Sequence, residues 1–220
     1  MQTFDTATPI TAVLEIPAGR LQVIAADRAD TAVEVRPMDP SKNRDVKQAE
    51  QTTVAYSDGV LRVETVVKHR ILGSSGAVEV TVQLPAGSRV EATVAAAELR
   101  GVGRLGDVTF KGAAGDIKLD EAANVRLDVQ AGDVSVGRLT GNAEVSAAKG
   151  DIAIAEAGQG SVVLSTQVGD LSVGAAPGVS AALDAGTTVG RIQNSLKNDG
   201  ETALTIRATT ITGDITAHSL

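Results

Sequence analysis

The chain has no cysteine and no tryptophan, and only three aromatic residues, Phe4, Tyr56 and Phe110. Without cysteine there is no disulfide, no thiolate metal centre and no cysteine nucleophile. Long apolar runs are also missing, the longest being four residues, as in Val94–Ala97. Such runs make neither a transmembrane helix nor the apolar core of a signal peptide. The start, Met1-Gln2-Thr3-Phe4-Asp5, has no basic stretch and no lipidation cysteine. The expectation from these features is a soluble cytoplasmic chain, with export after loss of a signal as the alternative.

Positive charge is in the minority, at 20 Lys and Arg against 27 Asp and Glu, a net of −7. Residues 1–89 are close to neutral, and the acidity sits in residues 90–220. An acidic surface repels phosphate backbones, and no basic stripe or aromatic platform offsets it, which excludes nucleic acid as a partner. What is abundant is apolar residue, at 43%, and glycine, at 23 of 220 residues. The core must therefore be built from Val, Ala, Leu and Ile. That mixture disfavours a helical bundle and suits short strands joined by tight turns.

A Gly-Asp pair followed by alternating apolar residues recurs along the second half. It appears at Gly115-Asp116, Gly132-Asp133, Gly150-Asp151, Gly169-Asp170 and Gly213-Asp214, with Gly190-Arg191 as a variant. Gly106-Asp107 has the same form but falls off the main phase. Each pair is preceded by a second alternating stretch, such as Val125-Arg126-Leu127-Asp128-Val129 before Gly132. Units starting at 90, 108, 125, 143, 162, 181 and 204 recur about every eighteen residues. The units at Ala181 and Leu204 read as carrying a two-residue insertion before their glycines. Period-two alternation places one face of each strand inward. The spacing predicts a single-stranded β-solenoid over residues 90–220, each coil stacked on the next at about 4.8 Å. The irregular step favours a right-handed β-helix over the strict hexapeptide type.

Glycine allows positive φ at a corner, and Asp caps a neighbouring backbone N–H. Stacked corners would align Asp116, Asp133, Asp151 and Asp170 in a column. The sharper alternative, a cation-binding ladder, is disfavoured because calcium takes six to eight oxygens and each coil supplies one carboxylate. Residues 1–89 carry looser strands, including Val33-Glu34-Val35, Leu61-Arg62-Val63 and Val78–Val82. Between them the polar stretch Pro40–Gln51 suggests a short helix over Lys42–Gln51 capped by Ser41. The expectation is an antiparallel or mixed β cap continuous with the solenoid, because an uncovered coil end is an unpaired edge.

Several segments resemble a bacterial β-strand-repeat family of putative adhesins, a domain of unknown function common in high-GC Gram-positive bacteria. They include Asp27-Arg28-Ala29-Asp30, Leu84-Pro85-Ala86-Gly87-Ser88, Gly190-Arg191-Ile192-Gln193-Asn194 and Gly213-Asp214-Ile215-Thr216. Together the matches span nearly the whole chain. The resemblance implies the solenoid fold and no reaction, since fold alone does not license function. The resemblance implies relatives that carry more coils than this chain.

Catalytic chemistry is not legible. His69 lies between Lys68 and Arg70 before the Gly73–Gly76 loop, and His218 is three residues from the end, with no nucleophile paired to either. No Gly-x-Ser-x-Gly elbow or Walker loop is present. The Gly101–Gly106 string lacks a following helix and reads as turn chemistry. A polysaccharide lyase would combine an Asp cluster with a base such as Lys118, Arg126 or Lys149, but long loops and aromatic subsites are missing. No catalytic, cofactor-binding or metal-binding residues are assigned, and no cofactor is expected. The reading is a non-enzymatic solenoid scaffold or binding module for a protein or envelope component. The alternative is a bactofilin-like filament growing from an exposed final coil at Ile211–Thr216, with a lyase-like enzyme behind it.

Overall fold

The computed structural model describes residues 1–65 and 76–220. His69 and most of the Gly73–Gly76 loop lie outside the described residues. The described strands form one extended hydrogen-bonded sheet with both parallel and antiparallel pairing, and the described residues are all-β apart from one short helix.

The first elements are β1 (Gln2–Asp5), β2 (Thr11–Ala26), β3 (Asp30–Pro37), α1 (Asn43–Glu50), β4 (Thr52–Ser57), β5 (Val60–Thr65) and β6 (Val78–Pro85). Here direction alternates. β4 runs antiparallel to β5, β3 antiparallel to β6, and β1 antiparallel to β3. β5 and β6 then lie parallel on the two halves of β2, which bends at Gly19. Two of the three aromatics meet here, Phe4 and Tyr56, with ring centroids 5.4 Å apart. The helix forms near its expected place but without the expected cap. Its N-cap is Lys42, which makes no side-chain cap hydrogen bond. The Ser41 hydroxyl donates instead to Asp39 at 2.6 Å, so a turn around Asp39 competes for the cap.

From β7 (Arg89–Ala114) onward the pairing is parallel. β8 (Ile117–Ala131), β9 (Val134–Leu139), β10 (Ala143–Lys149), β11 (Ile152–Ala157), β12 (Gly160–Val168) and β13 (Leu171–Ala175) follow. Val125 faces Ala143, and Ala143 faces Val162, which is the phase read from the sequence. A pair of strands flanking one Gly-Asp corner makes a rung, and the alternate residues that face inward stack like on like. Phe110, Leu127, Val145 and Leu164 are all essentially buried in one such column.

The last two rungs depart from sequence order. They are β14 (Ala181–Val189) with β15 (Ile192–Ser195), and β16 (Leu204–Thr212) with β17 (Ile215–Ser219). β16 pairs with both β12 and β14, and β17 with both β13 and β15. The C-terminal rung is therefore inserted between its two predecessors. This corrects the expectation that Ile211–Thr216 forms the exposed end. The open edge belongs to β14 and β15, whose far side pairs with no strand among the described residues. The apparent insertion at Ala181 and Leu204 is also resolved. Leu204 pairs with Ala181 on one side and with Gly160 on the other. Gly160 likewise lies nine residues before its own corner glycine, Gly169, so these strands simply begin earlier.

Burial accounts for the order. The inserted rung turns Leu204, Ile206, Ala208, Ile215 and Ala217 inward, all at most 1% exposed. The outer rung offers Leu183, Ala185, Thr187, Ile192 and Asn194 on the same inward-facing phase. Placing the more apolar rung where both faces are covered removes more apolar area from water.

Candidate functional site

The Gly-Asp corner is built from two linked contacts. Each corner glycine has a φ between +133° and +153°, a conformation L side chains rarely adopt. A Cβ on Gly132, Gly150 or Gly169 would lie 2.0–2.2 Å from the carbonyl oxygen of the preceding corner glycine. The aspartates form the column expected from the repeat. The Oδ1 of Asp116 accepts the backbone N–H of Asp133, Asp133 that of Asp151, and Asp151 that of Asp170, at 2.8–3.0 Å.

The column then follows the spatial order of rungs. Asp170 accepts the N–H of Asp214 at 2.7 Å, and Asp214 accepts that of Arg191 at 2.8 Å. Arg191 closes the column, which explains the one corner lacking Asp. Among the described residues no further rung stacks on it, so no acceptor is called for there. Its guanidinium instead binds the other Asp214 oxygen through Nε at 3.1 Å and Nη2 at 2.6 Å. This hydrogen bond and charge hold the Asp214 carboxyl below the usual carboxylate range and raise Arg191 in return. The carboxylates are thus structural acceptors. Among the described residues, no group of three or more His, Cys, Asp or Glu could hold a metal ion. Arg126, one base of the lyase arrangement, is taken up by Glu144.

Two further columns escaped the sequence reading. One is a line of inward threonines before the corner. Thr166, Thr210 and Thr187 donate to the carbonyls of Gly150, Gly169 and Gly213 at 3.0–3.3 Å. The shared Thr three residues before each of the last three corner glycines was the available signal. The other is a second corner, where the off-phase Asp107 belongs. Asp107 accepts from the Asn124 side chain, Asn124 accepts the N–H of Asn142, and Asn142 that of Ser161, at 2.8–2.9 Å.

An open groove of about 610 Å³ runs along this second corner over four successive passes of the chain. Asp107, Asn124, Asn142 and Ser161 form its edge, and Arg126, Glu144 and Val163 line its face. Arg126 and Glu144 form an exposed ion pair, and Val163 is 36% exposed. The groove is shallow and mixed polar and apolar. It offers amide, hydroxyl and charged groups at one regular spacing, and suits binding to an extended polar ligand more than it suits chemistry. His218, on β17, lies opposite Gly174 and Ser195, whose hydroxyl donates to the Ala217 carbonyl at 3.5 Å.

These features define an all-β strand-repeat domain whose regular elements are columns of backbone-capping side chains. The chain belongs to the Toastrack DUF4097 family, whose model matches residues 13–219. No curated protein matches the sequence. Among solved structures, a putative adhesin from Bacteroides fragilis is 12% identical, with 98% of this chain and 95% of that chain covered and a TM-score of 0.53. It shares the fold. A putative adhesin from Parabacteroides distasonis is 16% identical over 98% and 95% of the two chains, with a TM-score of 0.40. A putative cell adhesion protein from Clostridium sporogenes is 13% identical over 100% and 98%, with a TM-score of 0.37.

The comparison corrects the cytoplasmic placement. The Bacteroides fragilis protein is named a putative adhesin, and adhesins work at or beyond the cell surface. The cytoplasmic expectation rested on features missing from the N-terminus, and such absences carry no address. No helix among the described residues is long and apolar enough to cross a membrane.

Proposed function

We propose that the protein is a non-enzymatic binding or scaffold module of the cell surface, built as a right-handed single-stranded β-solenoid. The parallel register of 17 to 19 residues between Val108, Val125, Ala143 and Val162 supports the solenoid reading. In this reading residues 1–89 are the cap region, continuous with the repeat region 90–220 through β2. The groove along the second corner carries the binding proposal, because it lines up the polar residues Asp107, Asn124, Asn142 and Ser161 on four successive passes. Its ligand would be an extended polar envelope component, gripped by several weak contacts in series.

The test is cosedimentation of the purified chain with insoluble bacterial envelope. The comparison is a variant carrying Ser161→Lys and Val163→Lys, both exposed positions in the groove. Binding by the parent and a tenfold or greater loss in the variant is expected. Equal binding by both would move the site elsewhere, and no binding by the parent would sink the envelope reading.

A further inference from the structure

We propose that the C-terminal rung, β16 with β17, is an exchangeable element whose slot accepts the same rung from a second copy of this chain. The slot is bounded by β12 and β13 on one side and by β14 and β15 on the other. Its two walls present the same frame. Val162 and Leu183 both face Ile206, Thr166 and Thr187 both face Thr210, and Val168 and Val189 both face Thr212.

The walls are therefore in register with each other as well as with their occupant. With the rung withdrawn, β14 can rest on β12 in the same phase. Gly190 then meets the Gly169 carbonyl, and the Arg191 N–H meets Asp170 Oδ1, the groups that Gly213 and Asp214 use now. Residues 181–195 also precede 204–219 in the chain, so this closed arrangement is open to the chain before its last segment arrives. Insertion then requires the outer rung to give way.

Nothing in the covalent structure dictates whose rung fills the slot. The rung is joined to the rungs it pairs with by one link, residues 196–203. The link is polar and contains Asn198, Asp199 and Gly200. Eight extended residues reach up to roughly 26 Å, far more than the spacing of about 4.8 Å between rungs. Exchange between two copies keeps every rung-to-rung hydrogen bond and changes only the path of this link, the usual low-cost route to a swapped dimer. Reciprocal exchange between two copies fills both slots and leaves no rung free, so the product is a closed pair.

The test uses the full chain, whose lack of cysteine leaves engineered thiols unambiguous. Ser165 and Thr209 lie opposite each other between β12 and β16, and both are exposed. Neighbouring positions of this kind fall within the Cα separation a disulfide accepts. One preparation carries Ser165→Cys and the other Thr209→Cys. They are unfolded together, refolded at rising concentration and then oxidised. Exchange predicts a bridged heterodimer whose yield rises with concentration. The double variant, refolded dilute, should close its own bridge. A self-bridging double variant with no heterodimer over a hundredfold concentration range would overturn the proposal. A second pair, Val163→Cys with Arg207→Cys, reads the same contact two residues earlier and must agree.

Discussion

The two ends of this molecule solve one problem differently. A stack of parallel strands leaves a row of unpaired backbone groups at each end. At the N-terminal end the chain reverses direction. The antiparallel strands β3 and β4 and the helix α1 cover the edge with new backbone. At the other end no chain is spent. The last rung keeps the parallel pattern and changes its side chains, with Asn194 in line with Ala217 and Val173, and Arg191 in line with the aspartates. The first end is closed by topology, whereas the second stays open and mixes Thr187, Arg191 and Asn194 with Val189 and Ile192, which are 61% and 46% exposed. A terminal repeat with a polar outer face is a general requirement of stacked architectures.

The middle of the stack should be far less forgiving than either end, and Gly150→Ala tests this most severely. The new Cβ would fall 2.1 Å from the Gly132 carbonyl oxygen at a φ of +140°. A loss of about 3–5 kcal/mol is expected, at the upper end for single substitutions. Gly178→Ala also acts at positive φ, but nothing lies within 4 Å of where its Cβ would sit, and it should lose much less. Urea denaturation of the two variants measures the contrast, and equal losses would break it.

Next in size is the asymmetry between the last two rungs. Ile206→Ala empties a fully buried site and should cost about 2–4 kcal/mol. Leu183→Ala acts at the matching position of the outer rung, where the side chain is only partly buried, and should cost about 1 kcal/mol. Thermal melts of both variants read the difference. A reversed ranking would mean that the outer rung is covered in solution.

A smaller effect sharpens the polarity argument. Asn194→Val makes the open end apolar, beside Ile192 at 46% exposure. Its stability should change by less than about 1 kcal/mol, as surface substitutions do. Its sedimentation coefficient should rise with concentration more steeply than the parent's. Identical behaviour would mean that Asn194 does not protect the edge.

The smallest expected effect is acid sensitivity, which touches both ends. Hydrogen bonds from the Ser41 hydroxyl and Lys42 lower Asp39 to about 2. Hydrogen bonding from Arg191 lowers Asp214. A depressed carboxylate contributes stability that is fully present above its unfolded value of about 3.9 and is lost as pH falls through the folded value. The Asp39 contribution should therefore disappear around pH 2. Carboxyl NMR titration should find Asp39 and Asp214 below the exposed aspartates, and Arg191→Gln should return Asp214 toward them.

Much of this was legible in the sequence, for reasons that differ from residue to residue. The Gly-Asp corners at 115, 132, 150 and 169 were readable because each has only local requirements, a positive φ and a carboxylate beside it. The phase of Val108, Val125, Ala143 and Val162 was readable because like residues stack on like. The Ser41 cap was misread because Asp39 competes for the same hydroxyl, and sequence spacing cannot rank two such partners. Asp107 looked out of phase only because it serves a second corner, which becomes visible once Asn124, Asn142 and Ser161 are seen as its neighbours. The groove follows from that corner, so it was equally hidden.

The sequence by itself determined the strand period, the residues that face inward and the corners where the chain turns. These follow from alternation and backbone sterics within a few residues. The order of the last rungs, and with it the identity of the open end, was decided only in the tertiary structure. Both rungs carry the same local pattern. Which one goes inside depends on comparing the burial of Ile206, Ile215 and Ala217 with that of Leu183, Ile192 and Asn194 against the same wall.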